Sequence, residues 1–406
     1  MWLGNIELDE LRWDEAIKVF DKLLRIRVDP FSLGNLGVCY WKVGQLAEAE
    51  YCLRGAIELK PSFTRAHVSL AYVLHALRQF GAALTQLTIA AKVDPKEHQV
   101  PMREGCTLAA LGRFDEAQLA FEQARELAGR FSYSRLVAFD RKTFDAITGP
   151  EASVSAPQSA LQSAARAGDV RDVTLISCNP PYVRKYGFPF IRSFAATNRR
   201  DDRLLHLHIY DPDASIIGEV AALLGKCGLE RYAVTTETCP FPEQAVQQRK
   251  AYYACGRLVH LPYWLDHYRC PILSLDVDFI VERALDGLLD AARKSDVGLN
   301  LRDPADSPWL DVIANIIVAQ PTPAARHYFA AVKNYALDFL RREPDAWLVD
   351  QSALYCVLKM MERFAEPPAV AWIPAERQNC LWHIGHAYDY LLADPRYLKY
   401  AGDHTA

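Results

Sequence analysis

The sequence predicts two unlike domains: an N-terminal α-solenoid over residues 1–130, followed by an α/β domain over residues 172–406 with a mostly parallel sheet. Three observations support this prediction. A short motif ending in alanine recurs every 33 or 34 residues in the first region. In the second region, apolar strand-like runs alternate with helix-like segments. At 406 residues, the chain is also too long for a single ordinary core.

The first region is built on helical hairpins whose repeated alanines fall at positions 16, 49, 83 and 117. Prolines at 30, 61 and 95 close successive units, and small residues at 34, 37, 44, 71 and 112 are expected where paired helices approach closely. This period and punctuation resemble the tetratricopeptide repeat. The resemblance implies a curved solenoid with a groove for an acceptor protein or peptide. Alternatively, the repeats dimerise the protein or brace the second domain.

Residues 131–171 are expected to be a linker, because the run 149–160 is small, polar and marked by proline. Beyond it, strands are predicted at 173–178, 204–210, 232–236, 272–277, 297–301 and 313–318. Helices are predicted at 218–227, 251–268, 284–294 and 324–341. Ligands of such alternating folds bind at the carboxyl ends of the strands. Four polar residues lie at those ends: Asn179, Asp211, Asp276 and Asp278.

Asp276 and Asp278 follow the apolar run that is predicted to be the central strand. Residues two apart on an extended backbone point the same way, so the two carboxylates are expected on one face. Adjacent negative charges at a buried sheet edge are costly unless a positive charge lies between them. The sequence therefore predicts a divalent cation at this edge, which would suit a substrate that carries phosphates.

Asp276-Val-Asp278 resembles the D-x-D motif of the GT-A fold glycosyltransferases, which have a Rossmann-like α/β domain. Four other segments follow the order of that family, at 249–265, 315–322, 347–355 and 382–386. The resemblance covers residues 172 to about 390. It implies a nucleotide-diphosphate sugar donor, of the UDP or GDP type.

The same resemblance implies the roles of individual residues. Asp276 and Asp278 would bind Mn²⁺ or Mg²⁺, and an imidazole ligand from His383 or His386 would favour manganese. Asp350 is the candidate catalytic residue, as a base for the acceptor or as a ligand of sugar hydroxyls. The candidate donor-binding residues are Asn179, Tyr182, Asp211, Lys250, Arg257, Asp276, Asn315 and Gln351. His206 and His208 are expected to be packing residues.

We therefore expect a metal-dependent glycosyltransferase whose repeats recruit an acceptor protein, in a layout similar to bacterial flagellin-modifying transferases. The sequence leaves alternatives open: an acceptor that is a glycan or lipid intermediate, a repeat scaffold with an inactive second domain, or a sugar-phosphate nucleotidyltransferase. Against the last, Asn179-Pro-Pro-Tyr182 replaces a glycine-rich phosphate loop after the first strand.

Composition narrows the class of partners. The formal net charge of -4 provides no electrostatic argument for nucleic acid or an anionic membrane surface. No run approaches the roughly 20 apolar residues that span a bilayer. The ten cysteines contain no C-x-x-C pair and suit reduced, buried thiols. We expect a cytoplasmic protein with no nucleic-acid partner, and the sequence leaves homo-oligomerisation open.

Overall fold

The computed structural model describes residues 13–129, 132–163, 170–302, 307–343, 347–384 and 392–402. The chain divides into two compact units, and the boundary in the main run of the chain falls between Val137 and Ala138. Within the described residues, no helix has the length and apolarity needed to cross a membrane.

The first unit consists of consecutive helices that pair with their neighbours along the chain. They are α1 Trp13–Ile26, α2 Pro30–Lys42, α3 Leu46–Leu59, α4 Thr64–Ala76, α5 Phe80–Val93, α6 Gln99–Ala110 and α7 Phe114–Ala128. A 3-10 turn follows at Tyr133–Leu136. The start of α2 illustrates the local cause: Asp29 accepts hydrogen bonds from the amides of Phe31 and Ser32, and Pro30 occupies the first helical position.

Small residues of the repeat have two distinct uses. The repeated alanines 49, 83 and 117 are fully buried. A Cβ on Gly37 would lie 2.6 Å from Leu53 Cγ, so glycine is required where α2 packs on α3. Gly44 and Gly112 were also expected at close helix contacts, but a Cβ there would meet nothing within 4 Å. Their φ angles of +80° and +73° show that they form turns between helices instead.

The second unit contains ten α-helices, a π-helical segment at Val183–Gly187 and ten strands among the residues that the structure describes. The helices are α8 Arg141–Ile147, α9 Pro180–Tyr182, α10 Phe188–Asn198, α11 Ile216–Lys226, α12 Val246–Tyr268, α13 Asp286–Ala291, α14 Pro323–Arg342, α15 Val349–Phe364, α16 Ala375–Gln378 and α17 Pro395–Ala401. The strands are β1 Gln158–Gln162, β2 Asp172–Cys178, β3 Arg203–Tyr210, β4 Tyr232–Glu237, β5 Ile272–Leu275, β6 Phe279–Val281, β7 Val297–Leu301, β8 Val312–Ala319, β9 Val370–Trp372 and β10 Leu381–His383.

Eight of these strands form one sheet in the order β1-β4-β3-β2-β5-β8-β7-β9. Strands β4, β3, β2 and β5 run parallel, whereas β8 lies antiparallel to both β5 and β7, and β1 lies antiparallel to β4. The sheet is therefore mixed, and the prediction of a mostly parallel sheet was too simple. Hydrophobic runs predict that a strand is buried, but they carry little information about its direction.

The segment 131–171, predicted as a linker, contains two elements of the second unit. Helix α8 begins at a cap in which Asp140 accepts from the amide of Thr143, and it buries Phe144 and Ile147. Strand β1 pairs antiparallel with β4 at the edge of the sheet. Small polar residues are compatible with a short, half-exposed edge strand, so composition alone did not reveal it.

The two faces of the sheet differ in chemistry. Leu207 and Ile209 belong to an apolar core that includes residues of α10 and α11. Side chains alternate along β3, so His206 and His208 point to the other face. There the ring of Trp264, on α12, lies 4.9 Å from His206 and 5.3 Å from His208.

Candidate functional site

Asp276 and Asp278 lie in the turn that joins β5 to β6, at the carboxyl end of β5. Neighbouring strands hold the backbone on both sides. The amide of Asp276 donates to the carbonyl of Asn315 at 2.9 Å, and the carbonyl of Asp278 accepts from the amide of Ile384 at 2.9 Å. The Asp278 side chain is fully buried, whereas that of Asp276 is 29% exposed.

His383 joins the two aspartates because β10 pairs antiparallel with β6, which places His383 opposite Phe279. Its Nε2 lies 3.1 Å from Asp278 Oδ2. The ligand-capable atoms of the three side chains lie within 4.8 Å of one another, and we call this group the D-x-D cluster. The hydrogen bond to Asp278 raises the pKa of His383 above its usual value, against the opposing effect of burial.

An internal arginine already occupies part of this cluster. Arg257 lies buried on α12, with Nη1 2.5 Å from Asp276 Oδ1, and its Nη2 donates to the carbonyl of Ala314 at 2.6 Å. Arg257 was predicted to bind the donor, but the structure directs its guanidinium to Asp276. Part of the repulsion between the two aspartates is thus offset from within the chain.

Asp350 and Gln351 form the first turn of α15, after Leu348, which has a strained φ of +64°. The amide of Gln351 donates to Asp350 Oδ1 at 2.9 Å. Burial raises the pKa of Asp350, and the positive charge of Arg257 opposes that shift. Asp350 and Asp276 both interact with Arg257, so Asp350 lies near the D-x-D cluster. Gln351 Oε1 is buried and accepts no hydrogen bond within the described chain, which is costly unless a ligand supplies a donor.

Three other predicted donor-binding residues border this region. Asn179 Oδ1 accepts from the amide of Tyr182 and caps α9. Tyr182 is 40% exposed, and burial together with the charges of Tyr186 and Asp278 raises its pKa. On β8, Asn315 Oδ1 accepts from Asn300 Nδ2 at 2.9 Å. Asn179 and Asn315 thus have structural bonds, whereas Tyr182 is exposed.

The remaining predicted residues are arranged differently from expectation. Asp211 accepts hydrogen bonds from Arg249, Tyr253 and the amide of Cys239, so its carboxylate organises the loop after β3. Lys250 is exposed on α12. His386 lies outside the described residues.

Sequence reasoning missed a buried polar group on the His206–His208 face of the sheet. Glu237 contacts His208 and His260 there, in a second arrangement that brings together possible metal ligands. The signal in the sequence was weak: a glutamate at the end of one predicted strand and an alternating histidine on its neighbour.

Comparison with known proteins concerns the helical repeats. Residues 32–63 match the tetratricopeptide repeat family, which confirms the repeat prediction over α2 and α3. Mitochondrial import receptor subunit TOM70 of Saccharomyces cerevisiae is 30% identical over 86 residues, or 21% of this chain and 14% of that protein. The chain thus spans a small part of the length of this curated relative.

Two solved structures show further similarity. The first tetratricopeptide domain of Spaghetti (RPAP3), bound to an HSP90 peptide, is 22% identical with a TM-score of 0.26, covering 26% of this chain and 84% of that one. MamA from Desulfovibrio magneticus RS-1 is 22% identical with a TM-score of 0.28, covering 29% of this chain and 67% of that one.

Proposed function

We propose that the second unit is a metal-dependent glycosyltransferase domain of the GT-A type, and that the repeats of the first unit recruit its acceptor, a protein. The observation that carries the proposal is the convergence of Asp276, Asp278 and His383 at the carboxyl end of β5, with ligand-capable atoms within 4.8 Å. These three residues are up to 107 positions apart in sequence, and three separate chain segments are needed to assemble them around the turn.

The donor set fits the cation that the proposal requires. Two carboxylates and one imidazole suit Mn²⁺, and the oxygen ligands also suit Mg²⁺. The partly exposed side chains of Asp276 and His383 keep the cluster accessible, while Asp278 is buried behind them. When bound, the ion would stabilise the negative charge that develops on the departing nucleoside diphosphate.

Residues around the cluster have distinct roles in this proposal. Arg257 orients Asp276 through Oδ1, and Asp276 remains 29% exposed and so accessible to the cation. Asp350 accepts a proton from the attacking hydroxyl, a role for which its burial and raised pKa are suited. Gln351 Oε1 accepts a hydrogen bond from a sugar hydroxyl. The exposed Tyr182 provides a ring on which a nucleotide base can stack.

The second candidate is a protein-interaction scaffold whose α/β unit has no activity. The tetratricopeptide match supports the interaction role of the first unit. The Arg257–Asp276 ion pair favours this alternative, because it neutralises one aspartate without any metal. Transfer to a glycan or lipid intermediate differs from the main proposal only in the acceptor.

A screen of nucleoside-diphosphate sugars for Mn²⁺-dependent nucleotide release by the full chain tests the proposal. We expect release with one class of donor, and its loss in Asp278→Asn. Asp338→Asn is the matched control, because Asp338 is exposed and pairs with Arg342 on α14. Calorimetry that detects no binding of UDP or GDP, with or without Mn²⁺, would favour the scaffold.

A further inference from the structure

A second set of side chains with metal-binding chemistry lies buried between the sheet and α12. It comprises His208 on β3, Glu237 at the end of β4 and His260 on α12, and we call it the buried cluster. Glu237 Oε2 lies 2.5 Å from His260 Nε2 and 3.2 Å from His208 Nε2. The three ligand-capable atoms lie within 4.8 Å of one another, and none of the three residues is more than 7% exposed.

The strand register explains how the buried cluster forms. β3 and β4 run parallel, with Tyr210 opposite Glu237. His208 therefore precedes, by two residues on its strand, the position that pairs with Glu237, and it occupies the face that α12 covers. His260 lies three residues after Arg257 on that helix, so it faces the same side of the sheet.

Additional hydrogen bonds hold the ligand atoms in place. Thr235 Oγ1 lies 2.8 Å from His208 Nδ1, and Tyr252 Oη donates to Glu237 Oε1 at 2.5 Å. Metal-binding imidazoles and carboxylates generally have their second nitrogen or oxygen occupied in this way, which fixes the ring tautomer and aims the other atom. Here the bonds leave His208 Nε2 and Glu237 Oε2 directed at one point.

Charge supports a cation at that point. The partners of Glu237 among the described residues are His208, His260 and Tyr252, with no lysine or arginine. A buried carboxylate with no lysine or arginine beside it is costly unless positive charge comes from another source. A metal ion held by the three side chains would supply that charge.

The geometry points to a structural zinc site formed by His208, Glu237 and His260. Zinc bonds of about 2.0–2.1 Å in tetrahedral geometry separate ligand atoms by about 3.3 Å. The pair at 3.2 Å already has that spacing, and the pair at 2.5 Å opens by less than about 1 Å around an ion. The Trp264 ring, centred 5.3 Å from His208 and 5.5 Å from His260, closes the site to substrates.

Metal analysis of the purified full chain tests this inference independently of any sugar chemistry. The background variant Asp276→Asn/Asp278→Asn removes the D-x-D cluster as a source of bound metal. After dialysis against chelator, we expect about one zinc per chain in this background. Adding Glu237→Gln or His260→Gln should abolish it. His67→Gln is the matched control, because His67 is a buried histidine of the repeats that bonds Gln86 and Pro61.

Refolding with cobalt covers the case in which the cluster variants do not fold. The background variant, refolded with Co²⁺, should show the visible absorption of tetrahedral cobalt and a higher melting temperature than the metal-free protein. A chain that contains no zinc, takes up no Co²⁺ on refolding and melts at the same temperature with or without metal would overturn the inference. The three side chains would then form only a hydrogen-bonded packing cluster.

Discussion

The D-x-D cluster and the buried cluster both combine carboxylates with imidazoles, but in two different environments. His383 is 47% exposed and Asp276 is 29% exposed, whereas no member of the buried cluster is more than 7% exposed. An arginine offsets charge at the first cluster, and no arginine or lysine pairs with the described carboxylate of the second. The two clusters therefore differ in access and in charge compensation more than in the chemistry of their side chains, and this difference is the basis for proposing a substrate site for one and a structural site for the other.

The largest expected effect comes from Asp278→Asn, which removes the buried ligand of the D-x-D cluster. Metal stabilisation of the leaving group is worth several kcal/mol, so nucleotide release should fall by about 10³-fold or more. Initial rates at saturating donor and Mn²⁺ measure this. If Asp278→Asn released nucleotide as fast as the Asp338→Asn control, the D-x-D cluster would hold no catalytic ion.

Asp350→Asn should reduce kcat by about 10² to 10⁴-fold, because the buried carboxylate can no longer accept the proton of the acceptor. The rate of the Asp350→Asn variant should depend on Mn²⁺ concentration as the wild-type rate does. This distinguishes the variant from Asp278→Asn. Steady-state kinetics with a manganese titration make the comparison. A shift in the manganese titration with kcat intact would place Asp350 in metal binding instead.

Metal binding at the D-x-D cluster should depend on pH. Asp278 raises the pKa of His383, so this imidazole holds a proton to a higher pH than an ordinary histidine and must release it to bind metal. Apparent Mn²⁺ affinity should therefore increase as the pH rises towards the raised pKa, by about tenfold per pH unit below it.

His383→Asn should abolish this pH dependence, whereas His267→Asn, a change on the last turn of α12, should preserve it. Titrations of nucleotide release at a series of pH values give the result. An identical pH profile in wild type and His383→Asn would remove His383 from the metal site.

The smallest effect concerns the first unit. Gly37→Val forces a side chain against Leu53 and should destabilise the α2–α3 hairpin by about 1–3 kcal/mol. Gly81→Ala on α5 meets nothing within 4 Å and serves as control. Calorimetry measures the stability change. If the repeats recruit the acceptor, transfer to protein should fall in Gly37→Val while donor hydrolysis persists; equal loss of both would indicate a bracing role.

The repeats could be predicted because each repeat unit contains the residues that determine its own packing. The buried alanines at 49, 83 and 117 and the close contact at Gly37 are local and recur with the period. The apolar run of β5 was also evident in the sequence, but β5 ends at Leu275, so Asp276 and Asp278 lie in the turn beyond it, where strand alternation does not set the direction of the side chains. The direction of β8 and the assignment of β1 to the sheet could not be predicted, because each depends on a partner strand that is distant in sequence.

Local patterns in the chain thus specified the helical hairpins, the buried strands and the adjacent pair of aspartates, since each depends on residues only a few positions apart. Long-range packing decided which side chains meet. It paired Arg257 with Asp276, brought His383 to Asp278 and placed Glu237 between two histidines. These contacts depend on sheet order and helix placement, where the free energy of burial is shared among many residues and leaves no short motif to read.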